Sequence, residues 1–211
     1  AGNALASLSE QELVSCDTSD HGCSGGLPSM AFQWLLSDRH GWITSEADYP
    51  YTSGADNSNG QCLLPKPDVA RIDNWEKAPK NEHELAAYLA MRGPVSIGVN
   101  AGQEWANYKS GVMTDCPQET PNHAVLLVGY DVSATPPYWI IKNSWGPGWG
   151  DEGYLKVEYG TNQCSLTYDP VMAIVNHTGP TPPPTPVPPP TTSTCPPLPT
   201  VTLPINQYVP E

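Results

Sequence analysis

Two strand-like runs, Ala124–Tyr130 and Tyr138–Lys142, are joined by a turn-rich connection from Asp131 to Pro137. β-Competent runs separated by so short a connection pair as an antiparallel hairpin, which sets the start of the first opposite the end of the second. His123 opens the first run and Asn143 follows the second, each ten residues from Ser133 in the turn. The hairpin alone therefore brings an imidazole beside a carboxamide. A lone histidine at a strand end usually has only a structural part. The asparagine adds chemistry, because an amide oxygen accepting from one ring nitrogen fixes the tautomer and leaves the other facing a nucleophile. Trp145, just beyond, is placed to cover that bond and keep water off it.

Upstream the pattern is helical. Ser9-Glu10-Gln11-Glu12 has the S-x-x-E form of a capping box, with Leu8 and Leu13 at the staple positions. A second helix is expected after Gly25-Gly26, with Pro28 near its first turn and Met30, Ala31, Trp34 and Leu35 on one face. A third starts near Asn81, turns Leu85, Tyr88 and Leu89 inward, and stops at Gly93-Pro94. Strands follow at Val95–Val99, in the hairpin, and at Tyr154–Glu158. Helices early and strands late predict an α+β chain in two lobes.

Composition narrows the function classes. Lys and Arg number 9 against 22 Asp and Glu, a net charge of −13, which argues against a nucleic-acid partner. The same charge fits either an acidic compartment or a merely soluble surface. No apolar run approaches the roughly 18 residues that span a membrane. The chain begins Ala1-Gly2-Asn3, without a leader, and is expected to be an interior piece of something longer. Six cysteines suggest an oxidising compartment, and none forms a C-x-x-C pair, so no metal or cofactor is expected. Asn176-His177-Thr178 is a glycosylation sequon, in keeping with secretory transit. Thirteen of the 25 prolines fall in residues 180–211 among many threonines. Residues 178–211 read either as a stiff polyproline spacer to a further extension or as a ragged tail.

Ser9-Glu10-Gln11-Glu12-Leu13-Val14, Gly22-Cys23-Ser24-Gly25-Gly26, Asn122-His123-Ala124-Val125, Lys142-Asn143-Ser144-Trp145-Gly146 and Gly148-Trp149-Gly150-Asp151-Glu152-Gly153-Tyr154 resemble, in order and spacing, the papain and cathepsin L cysteine proteases. Leu13–Asp17, Gly111–Thr114 and Tyr138–Lys142, with the Pro/Thr-rich tail, are most similar to the trypanosomatid cathepsin L-like enzymes. The resemblance covers roughly residues 1 to 175. It implies a papain-like fold, the remainder of a helical lobe in 1–74 and an antiparallel, β-barrel-like lobe in 75–177.

It also implies a cysteine endopeptidase with His123 and Asn143 as catalytic residues, protein or peptide substrates, a propeptide or cystatin-like inhibitors as partners, a monomer, and a lysosomal, endosomal or secreted location. In such proteases the nucleophile precedes the histidine by about 130–150 residues, which passes Ala1, and no cysteine here is followed by tryptophan. The nucleophile is therefore expected upstream of this chain, which alone would be inactive. By resemblance Cys16 pairs with Cys62 and Cys116 with Cys164, while Cys23 has no partner here. Gly25 and Gly26 would offer backbone hydrogen bonds to an extended substrate, or simply make a turn. Leu27, Pro28, Gly98 and Asn122 match positions lining the pocket for the second substrate residue upstream of the cut. Asp169 is either the acid at the floor of that pocket or a solvated surface charge. Two other readings compete with a peptidase: a non-catalytic homologue of the fold, and a stalked binding module.

Overall fold

In a computed structural model of the chain, residues 5–176 and the backbone of Val201 and Thr202 are described. They divide into two compact units, the described residues of 1–76 with 173–176, and those of 77–172 with 201–202.

The first unit holds helices α1 (Glu10–Cys16) and α2 (Pro28–Asp38) and the antiparallel strands β1 (Trp42–Thr44) and β2 (Asp68–Arg71). Ser9 caps α1, its Oγ accepting from Glu12 N. The reciprocal half of the capping box is absent. Ser9 N donates instead to Thr44 O, and the Glu12 carboxylate turns inward. It accepts from Arg39 Nε at 2.6 Å and from Thr44 N at 2.8 Å. A carboxylate with 0 % exposure is tolerable only when paired and hydrogen-bonded, and losing one partner of such a pair costs on the order of 3–5 kcal/mol. Gln11 is buried beside it, its amide bonded to Ser53 N, Ser53 Oγ, Thr52 N and Ser15 Oγ. So α1 turns its polar residues toward the protein, and Leu8, the expected staple, is exposed. On α2, Pro28 occupies the first turn and Trp34 and Leu35 are buried, but Met30 is exposed. The unit's core is Cys16, Trp34, Leu35, Ile43 and Tyr49, stapled by a Cys16–Cys62 disulfide.

The second unit is built on a mainly antiparallel sheet. Its strands are β4 (Val95–Val99), β5 (Val112–Met113), β6 (His123–Asp131), β7 (Tyr138–Lys142), β8 (Tyr154–Glu158) and most of β9 (Tyr168–Ile174), in the order β9-β4-β6-β7-β8-β5, and β3 (Asn74–Lys77) is the stretch of chain at which the division falls. β5 and β8 run parallel, whereas β9 with β4, β4 with β6, β6 with β7 and β7 with β8 pair antiparallel. Helix α3 (Glu82–Arg92) starts where Asn81 Oδ1 accepts from His83 N and Glu84 N, and ends at Gly93. Its Leu85, Ala86 and Leu89 are fully buried with Ile97, Leu127, Trp139, Ile141 and Leu155. A short helix, α4 (Gln103–Asn107), carries the buried Trp105, and Cys116 is bonded to Cys164.

The Pro/Thr-rich stretch expected as a linker lies outside the described residues, apart from β10 (Val201–Thr202), whose backbone pairs antiparallel with Gly129 and Tyr130 of β6. No helix among the described residues is long and apolar enough to cross a membrane.

Candidate active site

The β6–β7 hairpin forms as its sequence predicts, with one change of register. Leu126 pairs with Lys142, and a bulge follows Leu127. Asn143 is therefore level with Val125 rather than with His123, and the two side chains meet diagonally on one face of the sheet. The contact is short: His123 Nε2 lies 2.9 Å from Asn143 Oδ1. The same oxygen accepts from Ser144 N at 2.8 Å, which identifies it as the amide oxygen. His123 must then donate, so Nε2 carries the proton and Nδ1 keeps its lone pair. Asn143 is 8 % exposed, and its Nδ2 is buried without a hydrogen-bond partner among the described residues. Its backbone N–H is tied to Gly153 O.

Aromatic rings hold the imidazole in place. Trp145 stacks on His123 with centroids 5.2 Å apart and planes at 29°, and Trp105 meets the ring edge-on at 6.0 Å. Trp149 stacks on Trp105 and donates from Nε1 to Trp105 O, while Trp105 donates from Nε1 to Cys164 Sγ. The expected cover, Trp145, is half exposed. The buried support beneath the site is Trp105, which sequence reasoning missed. It lies in a five-residue helix too short to show periodicity. A buried tryptophan needing a partner for its N–H was the only available hint.

The other candidates are placed as follows. Gly98 faces Ala124 across β4 and β6 and Tyr168 across β4 and β9. A Cβ there would lie 2.8 Å from the Tyr168 ring and 3.5 Å from Pro121. Pro121 thus lies beside Gly98, a neighbour that sequence reasoning did not single out. Asn122 is engaged within the unit: its Oδ1 accepts from Ala101 N at 2.8 Å and its Nδ2 donates to Asn100 Oδ1 at 3.4 Å. Asp169 adopts a positive φ of 41°. Its side chain is 16 % exposed and lies 3.7 Å from Nζ of the exposed Lys77.

In the first unit, Gly22–Ser24 form a 3₁₀ turn and Gly25 has φ 107°. Such a backbone favours glycine. Leu27 is extended at φ −125°, ψ 136°, and exposed. Cys23 is exposed and is the only free cysteine among the described residues. Asn176 is exposed, its N–H bonded to Asp73 Oδ2. Among the described residues no cluster of three or more metal-ligating side chains occurs.

A protein class follows from a histidine–asparagine pair on an antiparallel hairpin, sheltered by tryptophans. Residues 1–174 match the papain family cysteine protease profile, and the chain belongs to that family. It is 47 % identical over 176 residues to a cysteine proteinase of Trypanosoma brucei brucei, covering 83 % of this chain and 39 % of that protein. It is 43 % identical over 175 residues to cysteine proteinase A of Leishmania mexicana, covering 83 % and 49 %. The chain thus spans two fifths to one half of the curated relatives it matches. Among solved structures, a digestive procathepsin L 3 from the larval midgut of Tenebrio molitor superposes with a TM-score of 0.73 at 33 % identity, over 82 % of this chain and 57 % of that one. The ragweed pollen allergen Amb a 11, a cysteine protease in its proform, gives 0.73 at 36 % identity, over 82 % and 54 %. The fold is papain-like α+β.

Proposed function

We propose that the protein containing these residues is a papain-like cysteine endopeptidase with a Cys-His-Asn site, whose nucleophilic cysteine lies outside this chain. The observation that carries the reading is the His123 Nε2–Asn143 Oδ1 bond, since it presents Nδ1 as the nitrogen that takes a thiol proton. In that chemistry the thiolate attacks the scissile carbonyl and the imidazolium gives its proton to the leaving amine. Water then releases the acyl group from sulfur, the imidazole acting as base. Gly25 and Gly26 hydrogen-bond an extended substrate through their backbone, and the neighbouring Leu27 and Pro28 offer apolar surface to its second residue upstream of the cut.

The proforms among the similar structures support a propeptide partner, and the relatives' activity supports peptide substrates. The disulfides support an oxidising, lysosomal or secreted location.

The test uses the full-length protein and an active-site-directed thiol reagent. One cysteine should be labelled rapidly, and His123→Ala should abolish that reactivity while the fold persists. Equal labelling of wild type and variant overturns the reading in favour of a non-catalytic homologue. The 211-residue chain by itself should cleave nothing, and hydrolysis by it would place the nucleophile among its own residues.

A further inference from the structure

The segment that carries Gly25 and Gly26 is held at each end by a side-chain oxygen that enters the space a glycine leaves. At Gly22 a Cβ would come within 2.4 Å of Asn59 Cγ, and Asn59 Oδ1 accepts from the next residue, Cys23 N, at 2.8 Å. Gly22 also has φ 54°, a backbone that favours glycine. At Gly26 a Cβ would come within 2.5 Å of Asp20 Cγ, and Asp20 Oδ1 accepts from Leu27 N at 3.0 Å. Between these anchors His21 N donates to Gly25 O, Ser24 N to His21 O and Gly25 N to Gly22 O. None of these bonds uses the N–H or C=O of Gly26.

The two anchors differ in origin. Asp20 is seven residues from the amide it holds, whereas Asn59 reaches Cys23 from 36 residues away. The main chain of Asn59 is in turn tied to α1: its carbonyl oxygen accepts from Ser15 Oγ at 2.6 Å and from Gln11 Nε2 at 3.4 Å. Gln11 is the buried residue that also holds Thr52 and Ser53, and the Cys16–Cys62 disulfide closes the same stretch of chain. A braced loop presents its acceptor with much of the ordering entropy already lost, so the bond fixes a position more firmly than a mobile surface side chain would. Asn59 is itself exposed, and water competes for its oxygen. The bond is therefore worth no more than an ordinary one, and its effect falls on where the turn sits rather than on whether the unit folds.

We propose that Asn59 is a positioning residue which, braced by α1, fixes the Gly22–Cys23 turn and through it the place where Gly26 offers its backbone to an extended substrate. The proposal rests on the reading of Gly25 and Gly26 as the substrate-binding strand. Asn59 touches no substrate; it acts through the turn that its oxygen holds.

The experiment uses the full-length protein and two readouts. One is the protection of the Cys23 amide against hydrogen exchange. The other is steady-state kinetics on peptides that run past the second residue upstream of the cut, beside short substrates that end at the first and do not reach the glycines. Asn59→Ala should lower the protection and raise KM for the long peptides, each about two- to tenfold, the equivalent of one ordinary hydrogen bond. Its kcat, and its KM for short substrates, should hold. Asn59→Asp keeps an oxygen for Cys23 N and should restore both readouts. Unchanged protection in Asn59→Ala overturns the proposal. So does a KM that rises equally for long and short substrates, the mark of a general structural defect. Protection that falls while both KM values stay flat upholds the brace on Cys23 and overturns the substrate-strand reading of Gly25 and Gly26 instead.

Discussion

Trp139 donates from Nε1 to Oε2 of Glu82 at 2.6 Å, tying the hairpin that carries His123 to the first turn of α3. The same carboxylate accepts from Gly160 N and Asn162 N. One half-buried acid thus satisfies an indole in the core and two amides of the loop after β8. Glu82→Ala leaves those donors unpaired and should destabilise the fold by about 2–4 kcal/mol. Chemical denaturation measures it. A loss under ~0.5 kcal/mol, the range of ordinary surface substitutions, would mean that water replaces the carboxylate without cost.

Asn143→Ala in the full-length enzyme removes the oxygen that orients His123. With Nε2–H unheld, the imidazole samples other rotamers and the other tautomer. kcat for peptide hydrolysis should fall about 100-fold, the low end of what positioned acid–base catalysis supplies, with KM little changed. Steady-state kinetics separates this from a binding defect, in which KM would rise and kcat would hold.

The Lys77–Asp169 pair gives the proposed specificity a test. If Asp169 sits at the floor of the substrate pocket, it attracts arginine there, but Lys77 already competes for it at 3.7 Å. Lys77 is 68 % exposed, so the competing pair is weak, worth up to about 1 kcal/mol. Lys77→Met should raise the rate on substrates with arginine at the second position upstream of the cut up to about fivefold. Asp169→Ala should cost arginine substrates and spare leucine ones. Equal effects on paired arginine and leucine substrates would make Asp169 a structural partner of Lys77 and nothing more.

Acid should stabilise the first unit. Glu10 has a raised pKa, through burial first and then the charge of Glu46. Glu46 Oε1 accepts from Tyr51 N, and its Oε2 is buried without a hydrogen-bond partner among the described residues. A raised folded pKa means that stability is present below the ordinary glutamate value and is lost as pH rises through the folded one. Glu10→Gln should flatten that slope in denaturation midpoints between pH 4 and 7. An unchanged slope would place the titration elsewhere.

Strands long enough to show alternation were readable from residue type. Val95–Val99, Tyr138–Lys142 and Tyr154–Glu158 stand where apolar runs between turn residues predict them. Helix α3 was legible from its asparagine cap, its inward leucines and its terminal glycine. The strands β1, β3 and β5 and helix α4 span two to five residues, too few for any period to emerge. Strand β9 contains Pro170, which argues against a strand from sequence alone. It is tolerated here, and Pro170 O accepts from Ala78 N.

What the sequence by itself determined is local: two runs and a short turn make a hairpin, and a hairpin must bring its ends together, so His123 and Asn143 were bound to be neighbours. The bulge after Leu127, which shifts Asn143 from opposite Leu126 to opposite Val125 and so onto the face of His123, depends on packing in the assembled sheet. Tertiary structure alone decided the fate of the polar side chains. Glu12 read as a helix cap and became a buried partner of Arg39, 27 residues away. Trp105, which no sequence signal singled out, became the edge against which His123 rests. Asp20, which no sequence signal singled out, accepts from Leu27 N beside Gly26. Periodicity records which face of an element meets the core. It carries no record of which distant donor will satisfy a buried acceptor, because that is settled only when both have lost their water.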